Sequence, residues 1–396
     1  MPIWALFITS VLLDIFQILR IMGQVAVHFQ SFLKSLGKVD ACLMDNTLKF
    51  ARTKATGVLL LGLLLSSAVM YCQSEAPIPV MTGSVGYFTK VTEGQVQNIP
   101  SIDSLLLVPI GDKWLIEAKS DFSHTWGNQQ GGGEYGSSSS YGLAYAQVDY
   151  IANRYMTVVA GRFIQPFGIY TERLAPNWIR SLQATPLTVP ITSGSALGGM
   201  LRGGFPLGTT KINFDYAVYF SANNTNHILA TDRSTGGRIG FFVPALRLEV
   251  GASFEQLLQE DRSHYVGGHL VWQPYSVPLT VRAEVVRSSG FYGNGYWIEG
   301  AYRLSQVPQL RRLELVGRAQ QFFAARVSPT ASSDVLDSVG KDTNQADFGI
   351  NYYLRSDLRI ATSYGRHFSL NDNSNQWVVG LTYRFVMPLG PKGSPR

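Results

Sequence analysis

The chain has 396 residues, of which 15% are charged, 12% are aromatic and 39 are glycine, and its formal net charge at pH 7 is +6. This composition argues against a helical soluble enzyme and is typical of a chain with many strands, tight turns and an apolar outer surface. A mean hydropathy of +0.05 argues against a bundle of membrane helices. It is compatible with a barrel, in which apolar and polar residues alternate and average out.

The first part of the chain has the pattern of a targeting segment. Within residues 44–74, three Lys or Arg residues precede the apolar run VLLLGLLLSSAVM and a stretch of small residues, as in a secretory signal peptide. The apolar run is shorter than the ~20 residues that a membrane-spanning helix needs. Residues 1–43 are interpreted as a doubtful extension that precedes the true start codon, with an anchor helix as the alternative. We therefore expect one mature domain, residues 75–396.

Cysteine and charge place further limits on this expected domain. Both cysteines, Cys42 and Cys72, precede residue 75, so the mature chain is expected to have neither a disulfide nor a thiolate metal site. The first 72 residues hold six Lys or Arg and three Asp, and they supply half of the net positive charge. Nucleic-acid binding therefore gets no support, and no cofactor is expected.

Strand-like runs fill the rest of the chain. About fourteen well-marked runs lie from Trp114 onward, and two weaker ones lie near residues 83–90 and 103–109. In KINFDYAVYFS, for example, Asp215 and Ser221 alternate with apolar residues. A soluble sandwich alternates too, but many runs approach the ~9–11 residues that a tilted membrane strand needs. The sequence therefore predicts an all-β fold, a transmembrane antiparallel β-barrel of 16 strands, with 14 as the alternative.

The connections between these runs alternate between short and long, which is typical of barrels with turns at one rim and loops at the other. The short ones are 152–154, 206–210, 244–247 and 355–358, and the long ones include 127–140, 221–236 and 324–341. The segment 167–194 follows the fifth run and is the third connection on the long-loop side. It is too long for an ordinary connection and too apolar for disorder. We therefore expect it to fold inward.

Charged residues on the polar faces are expected to line the lumen, in nearly equal numbers of each sign and without a lysine cluster. Charges at a constriction set selectivity because the field is focused there. The constriction candidates are Glu172, Arg173 and Arg180 on the third loop and Arg162 and Arg202 on the flanking wall; the lumen-lining candidates are Lys119, Asp215, Arg282, Arg318 and Arg384. The alternative is that these residues pair across strands and stiffen the barrel.

Several stretches carry a family resemblance. At GRFIQPFGIYTERLAPNWIRSLQATPL the sequence resembles outer-membrane porins of the phosphate-selective O and P type, and RSSGFYGNGYWIEGAYRLSQVP, VGRAQQFFA, ADFGINYYL and VVGLTYRF extend the resemblance over residues 103–390. It implies a homotrimer of sixteen-stranded barrels, each narrowed by its third loop. It also implies a ladder of lumen arginines and a lysine cluster that select phosphate. The near balance of lumen charges departs from that pattern.

The expected function is a water-filled channel in the bacterial outer membrane, surrounded by outer-membrane lipid. It would pass small hydrophilic solutes or ions by passive diffusion, with a weak preference for anions. A barrel enzyme is one alternative, but it needs a nucleophile and a base within reach. Ser123 and His124 are adjacent on a strand and face opposite sides, so no catalytic set is predicted. A plugged structural or adhesive barrel is the other alternative.

Overall fold

The computed structural model describes residues 78–128, 135–192, 194–208, 211–222, 233–258, 262–289, 293–324, 342–369 and 372–389. The expected extension and signal peptide lie outside these ranges, so what was predicted for residues 1–74 remains a prediction. No helix within the described ranges combines the length and the apolar character needed to cross a bilayer.

Sixteen antiparallel strands form one closed barrel. Each strand pairs with its neighbours in sequence, and β1 pairs with β16 to close the sheet. The strands are β1 (Val80–Thr92), β2 (Gln95–Ile110), β3 (Trp114–Asn128), β4 (Tyr135–Asn153), β5 (Met156–Ile164), β6 (Ser195–Leu207), β7 (Ile212–Ser221), β8 (Ser234–Val243), β9 (Leu248–Leu257), β10 (His264–Trp272), β11 (Leu279–Ser288), β12 (Asn294–Arg303), β13 (Leu313–Phe323), β14 (Thr343–Arg355), β15 (Leu358–Ser369) and β16 (Asp372–Pro388). The all-β barrel and the count of sixteen are confirmed, and the two weak runs are β1 and β2.

The two rims of the barrel differ in their connections. We call the rim where β1 begins and β16 ends the turn rim, and the opposite rim the loop rim. The connection after β5 is the third at the loop rim. The expected division into short and long connections holds only in part. Glu93 and Gly94 alone join β1 to β2 at the loop rim, both at positive φ (50° and 81°), as in the type I′ turns of two-residue hairpins. The 304–312 connection, by contrast, lies at the turn rim.

The two faces of the sheet have opposite character. Outward side chains are apolar and exposed, among them Val218 at 58% and Trp377 at 53% of their full accessibility. Inward side chains include buried charges such as Glu284 and Arg359. A closed sheet satisfies every strand's backbone groups without water, which is what a bilayer demands of a spanning structure. The apolar outer face is therefore the lipid-facing surface.

Candidate channel constriction

The third loop, residues 165–194, enters the barrel at the level of β9 and β11. It contains a π-helical turn, Tyr170–Leu174, and a single helical turn, α1 (Val189–Thr192). The backbone N–H of Ile169 donates to Glu284 Oε2 at 2.7 Å, and that of Gly168 donates to Ser253 Oγ at 3.1 Å. Gly168 has φ +66°, and a Cβ there would lie 2.4 Å from Glu284 Oε2. The positive φ and the close approach to Glu284 both favour glycine at this position.

Two ion pairs fix the first half of the loop to the wall. Glu172 pairs with Arg238 on β8. Arg173 Nη1 lies 2.5 Å from Glu249 Oε1 on β9, and the same carboxylate oxygen lies 3.4 Å from His269 Nε2. The loop charges predicted at Glu172 and Arg173 are therefore engaged by partners on the wall.

The middle of the loop reaches the strands on either side of the barrel closure. Asn177 donates its backbone N–H to Asp103 Oδ2 at 2.9 Å and its side-chain amide to Ser101 Oγ at 2.9 Å, both on β2. Its carbonyl accepts from Arg359 Nη2 on β15 at 2.6 Å. The Arg359 guanidinium lies 5.4 Å from the ring centroid of Trp178. One asparagine thus connects β2 and β15 through the loop.

The second half of the loop lies along β11 to β13. Arg282 Nη1 donates to Ser181 Oγ at 3.1 Å, and Arg318 Nη2 donates to the Ala184 carbonyl at 2.7 Å. Leu182 is only 1% exposed and packs in an apolar cluster with residues of β12 and β13. Charged and apolar contacts together hold this half of the loop against the inner wall.

Apolar residues near both ends of the loop also pack on the wall. Phe167 and Ile191 form a buried cluster with Tyr265, Val286 and Phe322 on three strands. Burying such side chains stabilises the docked loop by roughly 1.5–3 kcal/mol each. The inward fold expected for this segment is therefore supported by apolar burial as well as by hydrogen bonds.

A cavity of about 800 Å³ lies between the loop and the wall formed by β1–β4 and β14–β16. Its charged lining comprises three basic and two acidic residues, namely Lys90, Lys119, Arg180, Asp103 and Asp121. Lys119 Nζ lies 3.2 Å from Asp121 Oδ1, and Asp103 accepts bonds from Ser84 and Asn177. Within the described ranges, Lys90 and Arg180 form no ion pair, and Arg180 Nη1 donates only to the Gln183 carbonyl at 3.4 Å. The cavity therefore carries a positive excess.

Most of the other predicted lumen residues are matched by opposite charges. Arg202 pairs with Asp149 and lies 3.8 Å from Glu117, and Asp215 lies 3.7 Å from Arg238. The remaining two pairs are Arg282 with Glu299 and Arg318 with Asp347, each with an N–O distance of 3.0 Å. These contacts follow the cross-strand pairing that was the alternative interpretation of the charges. Arg384 lies near the turn rim with an exposed side chain.

The expectation for Arg162 needs a correction, because its strand turns this side chain outward. Val159 and Phe163 are fully buried on the inner face of β5, in an apolar cluster with residues of β6 and β7. Arg162 therefore shares the outer face with Val158, which is 37% exposed. Its Nε donates to Ser195 Oγ at 2.8 Å. The sequence pattern assigned the polar residue to the lumen, whereas apolar packing occupies the lumen side here.

Two residues of the site were not predicted from the sequence. Lys90 belongs to the weakly marked β1, where the alternation of SVGYFTK places it on the inner face with Phe88. Asn177 is a short amide within a loop, and only its polar character among apolar neighbours hinted at a docking role. Among the described residues, no group of three or more His, Cys, Asp and Glu side chains is placed to hold a metal ion.

No family model matches the chain, and no curated protein sequence matches it. Several solved structures are similar to the chain. Pseudomonas putida OprB has a TM-score of 0.53 at 8% identity, covering 78% of this chain and 93% of that one. The outer membrane channel DcaP of Acinetobacter baumannii has a TM-score of 0.53 at 14% identity, with coverages of 79% and 99%. OmpF of Salmonella typhi, in complex with daunomycin, has a TM-score of 0.50 at 13% identity, with coverages of 78% and 97%.

These similarities concern the fold. The chain is a sixteen-stranded β-barrel of the outer-membrane type. The closed sheet and the exposed apolar outer face agree with that assignment. The resemblance to phosphate-selective porins remains a prediction from the sequence.

Proposed function

We propose that the protein is a porin, a water-filled channel of the bacterial outer membrane for passive diffusion of small hydrophilic solutes. The observation that carries this proposal is the docked third loop. It crosses the interior of a closed barrel and leaves a cavity of about 800 Å³ beside it. A loop held by ion pairs, buried amides and apolar clusters narrows the lumen at a fixed place, as a selectivity constriction requires.

The proposal includes a modest preference for anions. Lys90 and Arg180 give the cavity its positive excess. The connections at the turn rim add to it, since they hold six Lys or Arg against Asp112 and Asp357: Lys113, Arg154, Lys211, Arg247, Arg311 and Arg312. Charge of one sign at a channel mouth raises the local concentration of counter-ions. The effect should fade with salt, because charges are screened over about 8–10 Å at ordinary ionic strength.

We propose a general anion preference rather than selection of phosphate. A phosphate ladder needs lumen arginines whose donors are free for the ion. Four lumen arginines, Arg202, Arg238, Arg282 and Arg318, have carboxylate partners instead. The homotrimer implied by the resemblance belongs to the same proposal, and chemical cross-linking in native membranes tests it.

Single-channel recording in planar bilayers tests the channel itself. The folded protein should give discrete, long-lived conductance steps, and a potassium chloride gradient should give a zero-current potential of the sign expected for anions. The potential should shrink as salt rises at a constant gradient ratio. A folded protein that gives no conductance would support the plugged barrel and overturn the proposal.

A further inference from the structure

The outward face of the barrel carries very few charges, and all of them are arginines. Alternation along the sixteen strands, fixed by their pairing register, places four arginines outward among the described strand side chains and no Asp or Glu: Arg162, Arg287, Arg355 and Arg366. Arg355 lies at the turn rim and is paired with Asp357, with an N–O distance of 2.6 Å. The other three lie near the loop-rim ends of β5, β11 and β15.

Each of these three arginines follows an apolar stretch of the outer face. Arg287 is exposed and comes two residues after Val285, which is 54% exposed. The guanidinium of Arg366 lies 5.1 Å from the ring centroid of Phe368, itself 41% exposed. A long arginine side chain can extend from such an apolar stretch toward a polar layer above it. The three side chains therefore lie toward the loop-rim end of the apolar outer face.

A belt of tyrosines and amides marks the same level. Three outward tyrosines donate their hydroxyls to outward amide side chains near the loop rim, at distances of 3.2, 2.8 and 2.7 Å: Tyr87 to Asn98, Tyr296 to Gln321 and Tyr364 to Asn375. Amphipathic aromatic rings collect at the boundary between hydrocarbon and headgroups. The arginines thus lie at the depth where lipid headgroups contact the barrel.

We propose that Arg162, Arg287 and Arg366 bind phosphate-bearing lipid headgroups of the leaflet at the loop rim. The guanidinium group matches phosphate oxygens bidentately and keeps its charge. The arginines belong to β5, β11 and β15, which are spread around the barrel. A single protein partner would favour one contiguous patch, whereas lipid contacts all of the circumference that a homotrimer leaves free. The absence of acidic outward side chains in the described strands fits an anionic shell.

The test compares the purified, full-length barrel in detergent micelles doped with either diphosphoryl lipid A or the same lipid without its phosphates. The stability of the barrel is measured as the temperature at which its gel mobility changes from that of the folded to that of the unfolded protein. Phosphorylated lipid should raise the conversion temperature, because a ligand that binds only the folded state stabilises it. Replacing the arginines with glutamine should weaken the apparent lipid affinity about fivefold for each residue. A triple variant of Lys113, Arg154 and Arg311 at the turn rim removes the same net charge and should retain the effect.

Circular dichroism and the folded gel mobility before heating show whether each variant is folded, and the three single variants replace the triple one if it is not. Four outcomes would overturn the proposal. The first two are that the turn-rim variant loses as much lipid affinity as the arginine variant, or that the dephosphorylated lipid stabilises the barrel equally well. The third is that inorganic phosphate alone reproduces the shift in conversion temperature. The fourth is that the arginine variant changes the number of associated copies of the chain while its lipid response stays intact, which would assign the arginines to an interface between copies.

Discussion

Glu284 accepts the backbone N–H of Ile169 at 2.7 Å, and this contact joins the inner wall to the start of the third loop. The same carboxylate lies 3.4 Å from the backbone nitrogen of Tyr170 and 3.4 Å from Thr188 Oγ1 near the end of the loop. The side chain is only 2% exposed. One buried carboxylate therefore contacts both ends of a thirty-residue segment.

Glu284→Ala should loosen the loop without unfolding the barrel. Each buried donor left without an acceptor costs roughly 1–3 kcal/mol, and that cost falls on the loop because the strands keep their own ladders. Trypsin should then cleave the folded protein after Arg173 or Arg180, and the open-channel current should become noisier. Glu117→Ala is the control, since Glu117 accepts from Gln147 and lies 3.8 Å from Arg202, both on the wall. Equal protease resistance of both variants would contradict the role of Glu284.

Arg180→Glu should move the selectivity of the channel toward cations. Arg180 has no carboxylate partner among the described residues and lines the cavity, so the substitution reverses a charge that faces the permeating ions. The zero-current potential in a salt gradient measures the change, which should be largest at low salt. Arg287→Glu provides a control with the same charge change on the outer face. An equal shift in both variants would show that Arg180 lies outside the permeation path.

Deletion of residues 172–183 should raise the single-channel conductance. The segment includes Asn177 and Trp178, whose contacts hold the loop against β2 and β15. Removing it withdraws the part of the loop that crosses the interior, and the wider opening should also flatten the selectivity. Unchanged conductance of the folded variant would place the narrowest point elsewhere.

Leu381→Arg should destabilise the barrel by about 2–4 kcal/mol if Leu381 lies near the bilayer midplane, because it places a charge in lipid. Leu381 is 43% exposed on the outer face. Gln376→Arg is the matched control, since Gln376 belongs to the same strand but lines the cavity. Urea unfolding in lipid vesicles measures both. If Gln376→Arg lowers the free energy of unfolding as much as Leu381→Arg does, then Leu381 does not face lipid while Gln376 faces the lumen.

Alternation, the lengths of the runs and the short and long connections together predicted the barrel and its sixteen strands, and alternation placed Arg202, Arg282 and Arg318 on the inner face. The period of two reports the face of each residue directly. It failed at Arg162 because the lumen side of β5 is filled by Val159 and Phe163, a packing choice that involves three strands. Pairing partners such as Asp149 for Arg202 depend on the register between strands, which a single sequence does not specify.

The contacts of the third loop were less predictable still. Composition indicated that the segment folds inward, but the partner of Glu172 on β8 and the reach of Asn177 to β2 and β15 arise from tertiary geometry. Arg173 illustrates the difference. Its charge suggested an ion-facing side chain, and its position opposite Glu249 fixes it to the wall instead.

The contacts of Asn177 also bear on the order in which the barrel assembles. Its partners on β2 and β15 lie on the two sides of the junction between β1 and β16. Two of its three hydrogen bonds are made to β2, near the start of the barrel, and the third needs Arg359 on β15, near its end. The loop tip can therefore dock on both sides only when β2 and β15 are both in place. Before β1 and β16 pair, the loop tip would lack contacts on one side of the junction, and we expect the interior to be wider than in the closed protein.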